Sequence, residues 1–118
     1  MIGFPQHTEL LTKLMEVSDI RHRVVSQNLA NVNTPGYQRL KVNFEDELAK
    51  QILGGSEVEL TREPEVVKDN SLPVRADGNN VDIDMEIGEL QRNAVLYQTY
   101  AQLMATQFAT MRMAIRTE

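Results

Sequence analysis

The reading turns on one stretch, Asn28-Leu29-Ala30-Asn31-Val32-Asn33-Thr34-Pro35-Gly36-Tyr37. It follows a long amphipathic run and ends it. Asn side chains compete with the backbone for hydrogen bonds, Pro35 has no amide proton and holds Thr34 extended, and Gly36 reaches backbone angles closed to other residues. The chain therefore turns here in one defined way. The local role expected for the three asparagines is a helix C-cap and turn.

Upstream, the spacing predicts a helix over roughly residues 6–32. Leu11, Met15, Ser18, His22, Val25, Leu29 and Val32 form one seam, and Leu10, Leu14, Val17 and Val24 form a second stripe beside it. Two stripes make an apolar face broader than one partner helix covers, which implies additional neighbours. Near the other end, Ile87, Leu90, Ala94, Tyr97, Ala101, Met104, Phe108, Met111 and Ile115 recur at alternating spacings of three and four. Such a heptad row predicts a helix over about 85–116, with no Gly or Pro from Glu89 to Glu118 to interrupt it. An antiparallel pairing of the two terminal helices would bury the two seams against each other. The expected fold is all-α: an antiparallel coiled-coil hairpin, a short middle helix and a small extended or β-hairpin segment. One structural unit is expected, in three parts: residues 1–37 (helix and elbow), 38–80 (middle segment) and 81–118 (heptad helix).

In the middle, Asn43 reads as an N-cap ahead of Glu45, Asp46 and Glu47, with Phe44, Leu48 and Ile52 a turn apart and Gly54-Gly55 closing the element. Val58 and Leu60 alternate with Glu57, Glu59 and Thr61, which predicts extended chain. Acids outnumber bases over 54–80, and parts of it are expected to be disordered in isolation.

Composition narrows the function. The net charge of −5 argues against a general nucleic-acid binder, and zero cysteines remove zinc-finger and thiol chemistry. Arg21-His22-Arg23, a local basic cluster, reads as a solvated helix face. Glu9 and Lys13 stand where a secretory signal needs apolar residues, so the chain is expected to stay in the cytoplasm or to leave without signal cleavage. A lone helical hairpin is marginal, and burial between subunits would stabilise it; that suggests an assembly part more than a soluble catalyst.

Asn28, Ala30, Asn31, Thr34, Pro35, Gly36 and Tyr37 fit the pattern Asn-x-Ala-Asn-x-x-Thr-Pro-Gly-Tyr. This resembles the N-terminal signature of the bacterial flagellar axial proteins, which form the rod, the hook and the hook-filament junction. A second segment, Ala76-Asp77-Gly78-Asn79-Asn80-Val81-Asp82-Ile83-Asp84-Met85-Glu86, is followed by Asn93 and Tyr97. It resembles the opening of the C-terminal helix in the FlgB family of proximal rod proteins. The resemblance covers residues 6–53 and 76–116. It implies a structural subunit of the proximal rod in the flagellar basal body, part of the shaft that transmits torque and encloses the export channel. It further implies self-association, contacts with a FlgC-like rod protein, a FliE-like adaptor and MS-ring or export-gate proteins, no membrane span, and a periplasm-spanning site reached by flagellar type III export. The alternatives are a FlgC-like rod protein and a cytoplasmic helical adaptor or export chaperone.

No enzyme, cofactor, metal, nucleic acid or small-molecule substrate is expected. Ser18 and His22 lie one helical turn apart, the spacing of a nucleophile and base, but no loop presents the serine and no oxyanion donors accompany it. Polar seam positions that fix register are the better reading. His7 is too far along the helix to share a metal with His22. Asp77, Asp82, Asp84 and Glu86 fail the EF-hand spacing, since Ile87 stands where glycine is needed and Asn93 where glutamate is needed. Their alternation with Val81, Ile83 and Met85 predicts a half-buried strand leading into the helix.

Overall fold

A computed structural model describes residues 4–55 and 57–116. The outermost residues of the first and third expected parts lie outside the described residues. The chain is mostly helical: α1 (Phe4–Ala30), β1 (Leu40–Asn43), α2 (Glu45–Leu53), β2 (Glu65–Lys68) and α3 (Ile83–Arg116) follow in order. It is elongated, 67 × 30 × 17 Å, as two long helices packed side by side require.

Three side-chain contacts between α1 and α3 fix how they meet. Thr8 Oγ1 donates to Gln107 Oε1 at 3.1 Å, Asn93 Nδ2 donates to the Ser18 carbonyl at 2.7 Å, and Asn28 Nδ2 donates to Glu86 Oε2 at 3.3 Å. The α3 side of this contact runs through Glu86, Asn93, half-buried Tyr100 and Gln107, positions seven apart. The heptad row read from the sequence lies one residue further on. Within the chain it is therefore not a buried seam: Ile87, Ala94, Tyr97, Phe108, Met111 and Ile115 are exposed, and Leu90, Ala101 and Met104 are half-buried. The physical reason is Glu86. It must face inward to meet its partners, and on a helix that choice fixes the residues seven and fourteen further along.

On α1, Leu11, Ser18 and Val25 are buried, Met15 and Leu29 half-buried and His22 exposed. Val32 lies past the end of the helix, in the turn. The second stripe serves another neighbour: Val17 and Val24 form the core with Val42 and Phe44, and Leu14, Ile20, Leu40 and Leu48 pack around them. The broad face of α1 is thus divided between α3 and the β1–α2 layer.

β1 and β2 pair antiparallel, with Leu40 opposite Lys68 and Asn43 opposite Glu65. Leu40, Val42 and Phe44 point toward α1 by the two-residue period of extended chain. Around Val58 and Leu60, where extended chain is expected, the described residues form no strand; the second strand is β2 at Glu65–Lys68, and the loop after it packs on the elbow. α2 is present, but Asn43 is the last residue of β1 and Phe44 occupies the cap position without a side-chain cap bond. Three acids in its first turn favour its N-terminus through the helix dipole. Nor does a strand lead into α3. Asp82 caps that helix, its Oδ1 accepting from the Asp84 and Met85 amides at 3.0 and 3.4 Å, so Ile83 and Met85 are already helical.

Candidate assembly site

The elbow after α1 is held from inside by Asn28, which is fully buried. Its Nδ2 donates to the Leu40 carbonyl at 2.8 Å and to Glu86 Oε2, and its Oδ1 accepts from the Leu40 amide at 3.0 Å and the Tyr37 hydroxyl at 2.8 Å. One amide side chain thereby joins α1, the elbow, β1 and α3. All of its usual hydrogen-bonding capacity is used.

Asn31 closes the helix, its Nδ2 donating to the Gln27 carbonyl at 2.8 Å while its Oδ1 accepts from Thr34 Oγ1 at 3.1 Å. The Thr34 amide donates to the Asn31 carbonyl at 3.0 Å and the Tyr37 amide to the Thr34 carbonyl at 3.2 Å. Ala30 is the last helical residue, and Pro35 sits exposed at the turn's tip. Gly36 follows at φ +74°, in the region that L side chains rarely adopt.

The second motif lies directly on the first. The Gly36 amide donates to the Asp77 carbonyl at 2.8 Å, and Asn79 Nδ2 donates to the carbonyls of Asn31, Val32 and Thr34 at 2.8, 3.1 and 2.9 Å. Asn79 Oδ1 accepts from the Val81 amide at 2.8 Å. Arg75 adds bonds to the carbonyls of Val32 and Val81. The backbones touch at the glycines: Gly78 has φ +84°, and a Cβ there would stand 3.2 Å from Gly36 Cα. Two segments more than forty residues apart in sequence form one clasp.

Behind it lies a buried charge cluster. Arg39 donates from Nε to Glu86 Oε1 and from a terminal nitrogen to Asp69 Oδ2 at 2.7 Å. Asn80 Oδ1 accepts from the Arg39 amide at 2.6 Å while its Nδ2 donates to the Asp69 carbonyl at 2.7 Å. Burial works to lower the pKa of Arg39, but its bonds to Glu86 and Asp69 outweigh this and raise it. Burial works to raise the pKa of Asp69; hydrogen bonds from Ser71 and Arg39 prevail and hold it below the ordinary carboxylate value. For the Tyr37 phenol, burial and then the Glu86 charge both push upward. Such a cluster specifies geometry, because each partner left alone would be a buried unpaired charge.

Sequence reasoning missed Arg39 and Asp69, the part Asn80 plays in bridging them, and the inward placement of Glu86. A signal was present in the seven-residue recurrence of Glu86, Asn93 and Gln107, which marks one polar helix stripe. The basic cluster around His22 is not simply solvated. Arg21 forms a two-pronged pair with Glu45 at 2.7 and 2.8 Å, and Arg23 meets Asp19 at 3.0 Å. Burial works to raise the Glu45 pKa, but the Arg21 hydrogen bond and charge outweigh it and lower it. Ser18 and His22 border one open groove between α1 and α3, together with Met15, Asp19, Asn93 and Tyr97, but Ser18 is buried while His22 is exposed. Among the described residues, no three His, Cys, Asp or Glu side chains are grouped to hold a metal ion, and no helix is long and apolar enough to cross a membrane.

The family model described as "Flagella basal body rod protein" matches residues 18–38, the second half of α1 and the elbow. The "Flagellar basal body rod protein FlgB" of Borrelia hermsii is 30% identical over 96% of this chain and 98% of its own. Its counterpart from Borreliella burgdorferi is 27% identical over 98% of this chain and 100% of its own, and that of Bacillus subtilis 27% identical over 86% and 87%. Each is named as a rod protein and none as an enzyme.

Proposed function

The chain belongs to the FlgB family of flagellar basal body rod proteins, and from that premise we infer that it is a structural subunit of the proximal rod, acting by assembly and not by catalysis. Its place is the basal body, among other flagellar proteins.

The terminal helices form an antiparallel coiled-coil hairpin, a direction supported by partners that descend along α3 (Gln107, Asn93, Glu86) as they ascend along α1 (Thr8, Ser18, Asn28). Residues 1–37, 38–80 and 81–118 act as one structural unit joined by the clasp. The motif Asn28, Ala30, Asn31, Thr34, Pro35, Gly36 and Tyr37 sets the angle at which the helices leave the elbow. The subunit contacts its own copies, a FlgC-like rod protein, a FliE-like adaptor and MS-ring or export-gate proteins. It reaches a periplasm-spanning rod by flagellar type III export without signal cleavage, and there helps transmit torque and enclose the channel.

One observation carries the assembly reading. Along α3, Tyr97, Phe108, Met111 and Ile115 remain 40% exposed or more, an apolar row that the single chain does not cover. In the rod, the outer row of Ile87, Leu90, Ala94, Tyr97, Ala101, Met104, Phe108, Met111 and Ile115 meets neighbouring subunits, while Leu11, Met15, Val25, Leu29 and Val32 hold the inner packing. Deleting the gene tests this together with fractionation of purified basal bodies. Loss of motility, with the chain present in wild-type basal bodies, is expected. A chain confined to the cytoplasm on a single client would overturn the reading in favour of an export chaperone.

A further inference from the structure

The chain's charge is unevenly distributed. Residues 45–65 hold seven carboxylates (Glu45, Asp46, Glu47, Glu57, Glu59, Glu63 and Glu65) against Lys50 and Arg62, so this lobe alone carries the whole net charge of −5. Leu53, 87% exposed, and Ile52, 60% exposed, form an apolar crest on it. Over residues 90–116, α3 has Arg92, Arg112 and Arg116 and no carboxylate. Phe108, Met111 and Ile115 are exposed there beside Arg112 and Arg116, which share one helix face at the four-residue spacing. α1 brings Glu9 to the same end, while Lys13 and Glu16 pair with each other at 3.1 Å.

Two lobes of equal charge repel, so the lobe's exposed crest is ill-suited to a symmetric contact with its own copy. The outer end of α3 offers what the lobe lacks, cationic groups flanking apolar side chains. Lobe and helix end are different surfaces of one molecule, and joining them between copies gives a head-to-tail contact that does not close on itself. Resting on the rod reading above, we propose that the acidic α2 lobe of one copy docks, through Ile52 and Leu53, onto the Phe108–Arg116 face of α3 in a second copy, with Arg112 and Arg116 meeting its carboxylates.

The absence of native cysteines makes a direct test possible. Leu53→Cys and Ile115→Cys, on chains carrying tags of different size, are co-expressed in cells lacking the native gene, and purified basal bodies are treated with a short bismaleimide. The expected product joins one chain of each tag. Introducing Arg112→Glu and Arg116→Glu into the Ile115→Cys chain should abolish it, and adding Asp46→Lys and Glu57→Lys to the Leu53→Cys chain should restore it. All these positions are exposed, and circular dichroism of each purified chain should show unchanged helix content. Basal bodies that contain both chains but yield no mixed product would overturn the contact while leaving the rod reading intact. A product that survives charge reversal would overturn the charge pairing. Absence of both chains from basal bodies would refute the rod reading and this contact with it.

Discussion

Asn28→Asp changes one atom's identity and almost no volume, yet it should be among the most damaging substitutions in the chain. Asn28 Nδ2 donates to the Leu40 carbonyl at 2.8 Å and to Glu86 Oε2 at 3.3 Å in a site closed to water. A carboxylate there would set an oxygen against two acceptors, one of them charged. Two unit charges at that separation repel by roughly 5 kcal/mol at an effective dielectric constant near 20. The new carboxyl avoids this by keeping its proton. Holding a group of ordinary pKa near 3.9 protonated at pH 7 costs about 4 kcal/mol, and the single O–H then present meets only one of the two acceptors. The sign follows from linkage. A folded-state pKa raised above the unfolded value means stability present at low pH and lost as pH rises. The deficit relative to wild type should therefore shrink by about 1.4 kcal/mol for each unit that pH falls from 7 to 5. That window lies above the range in which Asp69 and Glu45, both held below their ordinary values, begin to lose their own contributions. Urea unfolding followed by circular dichroism at both pH values gives the numbers. A deficit under about 1 kcal/mol at pH 7, or one unchanged at pH 5, would refute the clasp as described, given buried-site costs of about 1 to 3 kcal/mol per unmet group.

Other substitutions probe the same network. Gly78→Ala should lose about 1 to 3 kcal/mol, from positive φ and from a Cβ 3.2 Å from Gly36 Cα, as read from thermal unfolding. Asn93→Leu removes both a buried unmet oxygen (Oδ1) and the bond from Nδ2 to the Ser18 carbonyl at 2.7 Å, so it should change stability by no more than about 1 kcal/mol, whereas Asn93→Ala, which also leaves a void, should destabilise by more; a urea series separates the two. Acid should weaken the fold as pH drops below about 4 and through the depressed pKa of Asp69, and Asp69→Asn should flatten that limb of the stability curve while lowering stability at pH 7. Phe108→Asp, on the exposed face of α3, should shift monomer stability by no more than about 0.5 kcal/mol yet abolish complementation of motility.

The long elements were legible because their signals are local. Periodicity located α1 and α3 within two residues at each bound, and the Asn-Pro-Gly chemistry of the elbow fixed where α1 stops. Which face of α3 turns inward was not, since apolar periodicity marked a row that the single chain leaves largely uncovered. The inward choice belongs to Glu86, whose reason for being buried is Arg39, forty-seven residues earlier in the chain. β1 was not read at all: the helix signal of Asn43, Phe44 and Leu48 masked the alternation of Leu40, Val42 and Phe44, whose inward side packs on Val17 and Val24 of α1. The clasp was half visible: both of its motifs stood out, and nothing in either one states that Asn79 closes the turn made by the other.

Imaging the intact basal body at side-chain resolution tests the central claim most directly. The account predicts that Phe108, Met111 and Ile115 are covered by neighbouring subunits while the contacts of Asn28, Asn79 and Glu86 persist within each chain. It would be contradicted if that face of α3 pointed into water in the assembled rod.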